Sequence, residues 1–513
     1  QADLEWEKSF GGTSWEKPSK IIQTKDGGFI VVGYSMSNDG DVTGHHGDVN
    51  CLACADYWVV KLDNGGNLEW ENSFGSNEHD HATDVVETID SGYIVAGHSF
   101  MHGCCSGDVT DHHGGFQDYQ SDYWLVRLDQ NGNIKWKKSY GGSDSDWAYS
   151  IINVEDNKFI IVGASDSNDD DVSDNKGQFD GWIVKIDSLG NILSQNNYGG
   201  SGYDVFKCII QTKDKGYSLV GFSDSQDGDV GASNGQFDYW IMKLDSNFEI
   251  QWSKTLGGSG TEEASSIVQL SEGGFLVAGY SYSDDIDVTG NHKLNDISSD
   301  YWIIKLDAEG NVIWKNCYGG TGNDIATALI KTADDKFCVV GYSDSKDGDV
   351  QGNYGDDDFW ALKLDTNGAI ISQLNLGGSG GDGGMSIIQS FDQSYIGVAF
   401  SSSSDHDVAE NHGIIDFWIT KFSTLTSIKE NEQGPVINPY PNPSTGIFKI
   451  YIQNINSQTK VEVYNQLSRK VFSSKDNFES NIEINLSSEP SGIYLVQIQT
   501  NGHTLIGKLV INK

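Results

Sequence analysis

The triplet Asp-x-Trp recurs seven times, at Asp56, Asp122, Asp180, Asp238, Asp300, Asp358 and Asp416, and its commonest spacing is 58 residues. A fixed period of this length constrains the chain more than any local motif, because one such unit cannot bury its apolar face alone and must stack against its neighbours. Each unit carries four short apolar runs, as in "CIIQT" (208–212), "YSLVGFS" (217–223), "DYWIMKLD" (238–245) and "EIQWSKTLG" (249–257). The runs are β-branched or aromatic and are bounded by Gly, Asn and Asp, which predicts strands. Turn sequences such as "KDKG" and "DAEGN" join them as hairpins. Four antiparallel strands per unit, repeated seven times, predict an all-β fold: a seven-bladed β-propeller over residues 1–423. Residues 4–10, "LEWEKSF", match a fourth strand with no first three before it, while the seventh unit stops after its third strand, "DFWITKF" (416–422). The N-terminal strand is therefore expected to complete the last blade and close the ring.

Twelve of the fourteen Trp residues fall in two columns of the repeat. Seven are the Trp of Asp-x-Trp, and Trp6, Trp70, Trp136, Trp252 and Trp314 share one position in the fourth strand. The reading is blade-to-blade packing and not a ligand box, since an aromatic ring buries a large area.

The acids also fall in columns. The loop between the second and third strands carries Asp-Val in every unit (Asp41, Asp108, Asp171, Asp229, Asp287, Asp349, Asp407). Another Asp lies two residues earlier in six units (Asp39, Asp169, Asp227, Asp285, Asp347, Asp405). The link between units adds an axial acidic ring of Glu16, Asp80, Asp146, Asp204, Glu262, Asp324 and Asp382. In a four-stranded meander these loops and links share one end, so like charges mass there. Two readings account for them. Calcium takes six to eight hard oxygen ligands, and the loop Asp pairs closed by the Asp of Asp-x-Trp furnish such oxygens. Alternatively, the same residues form Asx-turns and cap backbone N–H groups. The spacing resembles, without matching, the calcium loops of EF-hands and integrin-type propeller repeats.

His45–His46 and His112–His113 look like metal ligands in isolation, but the second of each pair shares its column with Lys176, Asn234, His292, Tyr354 and His412. A column that accepts Lys argues for a structural or solvated His. The Asp-Val to Asp-x-Trp segment is longest in the first, second and fifth units, which enlarges loops 42–55, 100–121 and 288–299. Two of these hold Cys51, Cys54, Cys104 and Cys105, read as disulfide cysteines of an exported chain, with a four-cysteine zinc site as the alternative. Cys208, Cys317 and Cys338 are expected as thiols buried in strands. Phe116, Gln117, Tyr119 and Gln120 give the enlarged rim aromatic and amide contacts suited to a glycan or a protein.

The formal net charge of −41 opposes nucleic acid and anionic lipid as partners. No apolar run approaches the ~18 residues of a membrane span. The start at Gln1, with neither Met nor a basic-apolar leader, suggests an export signal already removed. The acidity is concentrated in residues 1–423, whereas residues 424–513 are close to neutral. Residues 424–437 read as a linker. Beyond them, "YPNPSTGIFKI" (440–450), "VEVYNQLSRKVFSS" (461–474) and "INLSSEPSGIYLVQIQTNGHTLIGKLVINK" (484–513) alternate apolar and polar residues, which predicts an antiparallel sandwich over 438–513. In the order of these motifs the segment resembles a type A C-terminal sorting domain of the type IX secretion system of Bacteroidota. Pro441, Asn442, Pro443, Gly492, Tyr494 and Lys508 carry that resemblance.

The resemblance implies a small Ig-like β-sandwich that takes a folded cargo from the periplasm across the outer membrane through the type IX secretion machinery. It also implies cleavage by a sortase, and attachment to surface lipopolysaccharide or release. The repeats resemble those of secreted propeller cargo, a likeness that supplies no activity. Two functions follow. One is a secreted or cell-surface binding or adhesion protein, calcium-stabilised, with a glycan or protein ligand. The alternative is a carbohydrate-active enzyme, a lyase or glycosidase, using the axial carboxylates.

Overall fold

The structure is a computed structural model that describes residues 4–47, 54–101, 107–113, 120–293, 298–423, 444–451, 460–465, 469–474, 481–500 and 503–513. The chain divides into two compact units, Gln1–Ser427 and Ile428–Lys513.

The first unit is seven successive four-stranded antiparallel sheets, each a simple meander. The third sheet is typical: Asp146–Val154, Lys158–Ser165, Asp180–Ile186 and Ile192–Tyr198. The seventh sheet takes its fourth strand from the start of the chain, Leu4–Phe10 pairing antiparallel with Asp416–Phe422. Each large core is shared by two sheets. Ile30, Tyr57, Tyr93 and Trp124 join the first to the second. Trp58 and Phe29 meet Ile396 and Phe417 between the first and the seventh. This face-to-face stacking of meanders is the arrangement of propeller blades.

All seven Trp of Asp-x-Trp are 0% exposed. The residue before four of them explains how neighbours lock: the Tyr57, Tyr123, Tyr239 and Tyr301 hydroxyls donate to the carbonyls of Trp124, Trp182, Trp302 and Trp360 of the next sheet, at 2.8–3.1 Å. Their rings lie 4.6–4.7 Å from those indoles. The fourth-strand Trp residues grip the next sheet's last turn. Trp136, Trp252 and Trp314 donate from Nε1 to the carbonyls of Ser188, Ala308 and Thr366. That turn tolerates the indole because its Gly has positive φ and no side chain; a Cβ on Gly310 would sit 3.0 Å from Trp252.

One feature of the sheets has no signal in the apolar pattern. In each, the pairing of first and second strands slips by one residue, as between Ala148 and Ser150 or between Phe206 and Cys208. A bulge of this kind sharpens the twist of the first strand and re-aims one side chain.

The described residues of the second unit form two sheets. Ile447–Tyr451 pairs with Asn481–Asn485, and Lys460–Tyr464 lies between Lys470–Ser473 and Gly492–Thr500, which in turn pairs with His503–Ile511. Phe448 and Ile484 of the small sheet share one core with Val461, Val463, Tyr494, Val496 and Leu509 of the other. Alternating burial across two facing sheets is what the period-two sequence pattern requires. Among the described residues no helix is long and apolar enough to cross a membrane.

Candidate functional site

The strand order puts the loop between second and third strands, and the link to the next sheet, at one end of every sheet. Both acidic columns sit there, and the structure shows what each carboxylate touches. The inter-sheet acids Glu16, Asp80, Asp146, Asp204, Glu262, Asp324 and Asp382 are all 0% exposed. Each accepts the backbone N–H four residues before it, from Gly12, Ser76, Gly142, Gly200, Gly258, Gly320 and Gly378, at 2.6–2.9 Å. Serine hydroxyls complete the cap, as in Ser167 to Asp146 at 3.0 Å and Ser345 to Asp324 at 2.8 Å.

The loop acids Asp39, Asp169, Asp227, Asp285, Asp347 and Asp405 accept N–H groups of the same links, from Thr13, Ser143, Ser201, Ser259, Thr321 and Ser379, at 2.7–2.8 Å. The Asp-Val residues Asp41, Asp108, Asp171, Asp229, Asp287, Asp349 and Asp407 each donate their own N–H to the first residue of the Gly-Gly turn or its equivalent. Each acidic loop is thereby stapled over the link to the next sheet. These contacts are the turn-and-cap chemistry of Asx residues. Among the described residues no group of three or more His, Cys, Asp or Glu is placed to hold a metal ion.

The Asp of Asp-x-Trp is the third buried column. Asp56, Asp122, Asp180, Asp238, Asp300, Asp358 and Asp416 are 0% exposed. Their Oδ2 atoms accept the N–H of His46, His113, Lys176, Asn234, His292, Tyr354 and His412 at 2.6–3.0 Å. In four sheets the His ring adds a second contact, Nδ1 to Oδ2 at 2.7–2.9 Å. The backbone makes the bond common to all seven, which is why the side chain at this column is free to vary. His113 is pushed up to about 9 by its bond to Asp122, and its Nε2 lies 3.7 Å from Asp171 of the next sheet.

In contrast, Oδ1 of all seven of these aspartates lacks a close hydrogen-bond partner among the described residues, the His45 Nδ1 standing 3.4 Å from that of Asp56. It faces the inter-sheet acid across a glycine: a Cβ on Gly141 would lie 2.4 Å from Asp146 and 2.8 Å from Asp122. Crowding two buried carboxyls raises the pKa of one of them. Burial pushes Asp80, Asp180 and Asp324 up to about 7, and Asp146 and Asp358 up to about 8, with the partner Asp adding to the rise.

Of the cysteines, Cys54 is disulfide-bonded, while Cys51, Cys104 and Cys105 lie outside the described residues. Cys208, Cys317 and Cys338 are free thiols. Phe116, Gln117 and Tyr119 also lie outside the described residues; Gln120 donates from Nε2 to Asp144 at 3.2 Å. Pro441, Asn442 and Pro443 lie outside them too, as does the 424–437 segment. Gly492 opens a strand, Lys508 sits in its partner strand, and buried Tyr494 donates to the Pro490 carbonyl at 2.9 Å.

A further column emerges from the strand pairing. Next to each invariant acid–Ser cross-strand pair stands a pair that differs in every sheet: Lys17 with Tyr34, His81 with His98, Trp147 with Ala164, Val205 with Phe222, Glu263 with Tyr280, Ile325 with Tyr342, and Gly383 with Phe400. With the bulge residues Tyr149 and Lys207, the rings and charged groups among these form a partly exposed wall, while Ala164, Val205 and Gly383 are buried. Tyr34 stacks on His81 at 4.4 Å, and His81 reaches His98 at 5.5 Å and His98 Tyr149 at 6.4 Å. The Lys207 ammonium sits 3.8 Å from the Tyr149 ring centre. Trp147, Phe179 and Tyr203 continue the wall as a stack, and Lys17 lies over Phe400 at 4.9 Å. Burial drives His81 down to about 4, so its ring is neutral and stacks as an aromatic. The available signal was variation inside an otherwise repeated unit.

A stretch of 92 residues, 18% of this chain, is 34% identical to ulvan lyase NLR42 of Nonlabens ulvanivorans and spans only 17% of that protein. Sqt1 of Chaetomium thermophilum is similar over 83% of this chain and 99% of its own, at 12% identity and a TM-score of 0.42. The Pan2 WD40 domain of Neurospora crassa is similar over 80% of this chain and 91% of its own, at 8% identity and a TM-score of 0.43. Residues 438–512 match the profile of the Secretion system C-terminal sorting domain, the tail that the type IX secretion system handles on the way to the cell surface or the medium.

Proposed function

We propose that the protein is a secreted binding module: a closed seven-bladed propeller that presents the aromatic wall to an extracellular glycan, with the sorting domain as its export address. The observation that carries this reading is the wall's composition. An invariant frame of buried acids and serines holds, one residue away, a pair of side chains whose combination differs in every sheet and whose second member is Tyr or Phe in five of the seven. A repeat whose sole task is its own folding has no use for that variation at one column. Aromatic faces with a few polar groups are what a sugar ring requires, apolar C–H faces against rings and hydroxyls against charges. Tyr203, at 38% exposure, leaves such a face open. The loop carboxylates belong to the scaffold in this reading, and calcium at the loops is a separate proposal with its own test below.

A carbohydrate-active enzyme is the second reading, and one observation favours it. Asp357 is pushed up by burial and by the neighbouring Asp344 beside the same wall, the arrangement of a general acid next to a second carboxylate. The axial acids are not the groups to carry such chemistry, since all seven are buried and capped.

The test is a glycan array with the purified secreted protein, repeated with Trp147→Ala and Lys207→Ala. Binding lost in both variants, with melting temperature kept, supports the wall. Binding retained in both overturns it, and turnover of a bound glycan that stops in Asp357→Asn selects the enzyme.

A further inference from the structure

The opposite end of the sheets, where first and second strands turn, holds a cavity of about 410 Å³ between the first and second sheets. Asp26, Glu69 and Trp70 of the first sheet and Glu87 and Tyr93 of the second line it. Trp70 and Tyr93 meet at 6.1 Å with their planes tilted by 54°. Tyr93, at 2% exposure, presents its ring edge to this lining. Burial, with the charges of Asp26, Glu87 and Glu69 adding to it, raises the pKa of its hydroxyl.

The other junctions show which part of this cavity is scaffold. The Glu87 position is Gln23, Asn153, Gln211, Gln269, Lys331 or Gln389 in the other six sheets. Its structural bond there needs no charge: Lys213 donates its N–H to Gln269 at 2.9 Å, Ala333 to Gln389 at 2.8 Å and Phe391 to Gln23 at 2.8 Å. Glu87 makes the same bond, from the Lys25 N–H, at 2.9 Å. Its negative charge is therefore surplus to the fold. Lys61 serves the other two acids, at 3.1 Å from Asp26 and 2.9 Å from Glu69. No Lys or Arg nitrogen among the described residues is within ion-pair distance of Glu87. No other junction combines a third acid with both rings.

We infer that this cavity binds an organic ammonium group, its charge held by Glu87, its carbon skeleton against Trp70 and a donor or acceptor on the Tyr93 hydroxyl. An ammonium over an indole face gains cation–π attraction, and the surplus carboxylate supplies a charge-assisted hydrogen bond. Two sources carry this chemistry, an amino sugar and a lysine side chain. This inference stands apart from the aromatic wall, which lies at the other end of the sheets.

The experiment is calorimetric titration of the intact protein with glucosamine, N-acetylglucosamine and Nα-acetyl-lysine amide at neutral pH. Glucosamine or the lysine derivative should bind, and N-acetylglucosamine, which has no ammonium, should not. Whichever amine binds more tightly identifies the source. In Glu87→Gln the affinity should fall at least tenfold with the melting temperature unchanged, because four sister sheets already carry Gln there. Trp70→Ser, which copies Ser194 and Ser372, should weaken binding likewise. Equal binding of glucosamine and its N-acetyl form, unchanged affinity in Glu87→Gln, or failure of both amines to bind at millimolar concentration overturns the inference.

Discussion

Asp146 offers a test of the buried carboxyl pairs in which sign and size both follow from the structure. Its carboxyl is 0% exposed, faces Asp122 across Gly141 and is pushed up to about 8 by burial. The unfolded chain titrates it near 3.8. A pKa raised on folding means that stability is fully present below about 4 and is lost as pH rises through about 8. Between those limits the unfolded state releases a proton that the folded state keeps, at a cost of about 1.4 kcal/mol per pH unit. From pH 5 to pH 8 the loss from this one group is about 4 kcal/mol. Asp146→Asn keeps the shape and has no proton to lose. It should be close to the parent at pH 5 and gain on it steadily to pH 8. Unfolding entropy of about 2.1 cal/mol/K per residue gives roughly 0.9 kcal/mol/K for a unit of this length, so the relative gain is about 4 °C in melting temperature. Scanning fluorimetry from pH 5 to pH 8 at fixed ionic strength, in chelator, reads it directly. A variant destabilised equally at pH 5 and pH 8 would show that Asp146 is ionised throughout and that the pair shares no proton.

Three further outcomes are expected. Deleting residues 1–10 removes the fourth strand of the seventh sheet, leaves Asp416–Phe422 as an open edge, and should give aggregation or a melting temperature lower by many degrees; a truncated protein that melts like the parent removes this strand from the fold. If the loop carboxylates serve backbone N–H groups alone, excess chelator leaves the melting curve in place. A drop restored by added calcium, with metal found by elemental analysis, would instead make the ion a ligand of the folded state. Ending the chain at residue 437 should leave the sheets folded but retained in the periplasm, as read by cell fractionation, and secretion of the truncated chain would deprive the tail of its role.

Strand identity, sheet count and the tail were legible in the sequence because they rest on short-range regularities. A 58-residue period, turns of Gly and Asp, and β-branched runs between them leave a chain few ways to bury its apolar faces. Even the strand exchange at Leu4–Phe10 followed from matching one heptapeptide to a column. The buried acid columns were visible as columns, but not as buried. Whether Asp146 meets calcium, water or a backbone N–H depends on where the preceding Gly-Gly turn places its amides, a matter of a few ångströms of loop path that composition does not encode. The bulge that turns Tyr149 and Lys207 toward the wall was also invisible, since one extra residue in a strand leaves no mark on apolar periodicity. Glu87 shows the division most plainly. The sequence displays it as one acid in a column of four Gln, an Asn and a Lys; only packing of two sheets, with Trp70 from one and Tyr93 from the other, makes that single charge the wall of a cavity. Local chemistry determined the units, and the contacts between them decided what their side chains do.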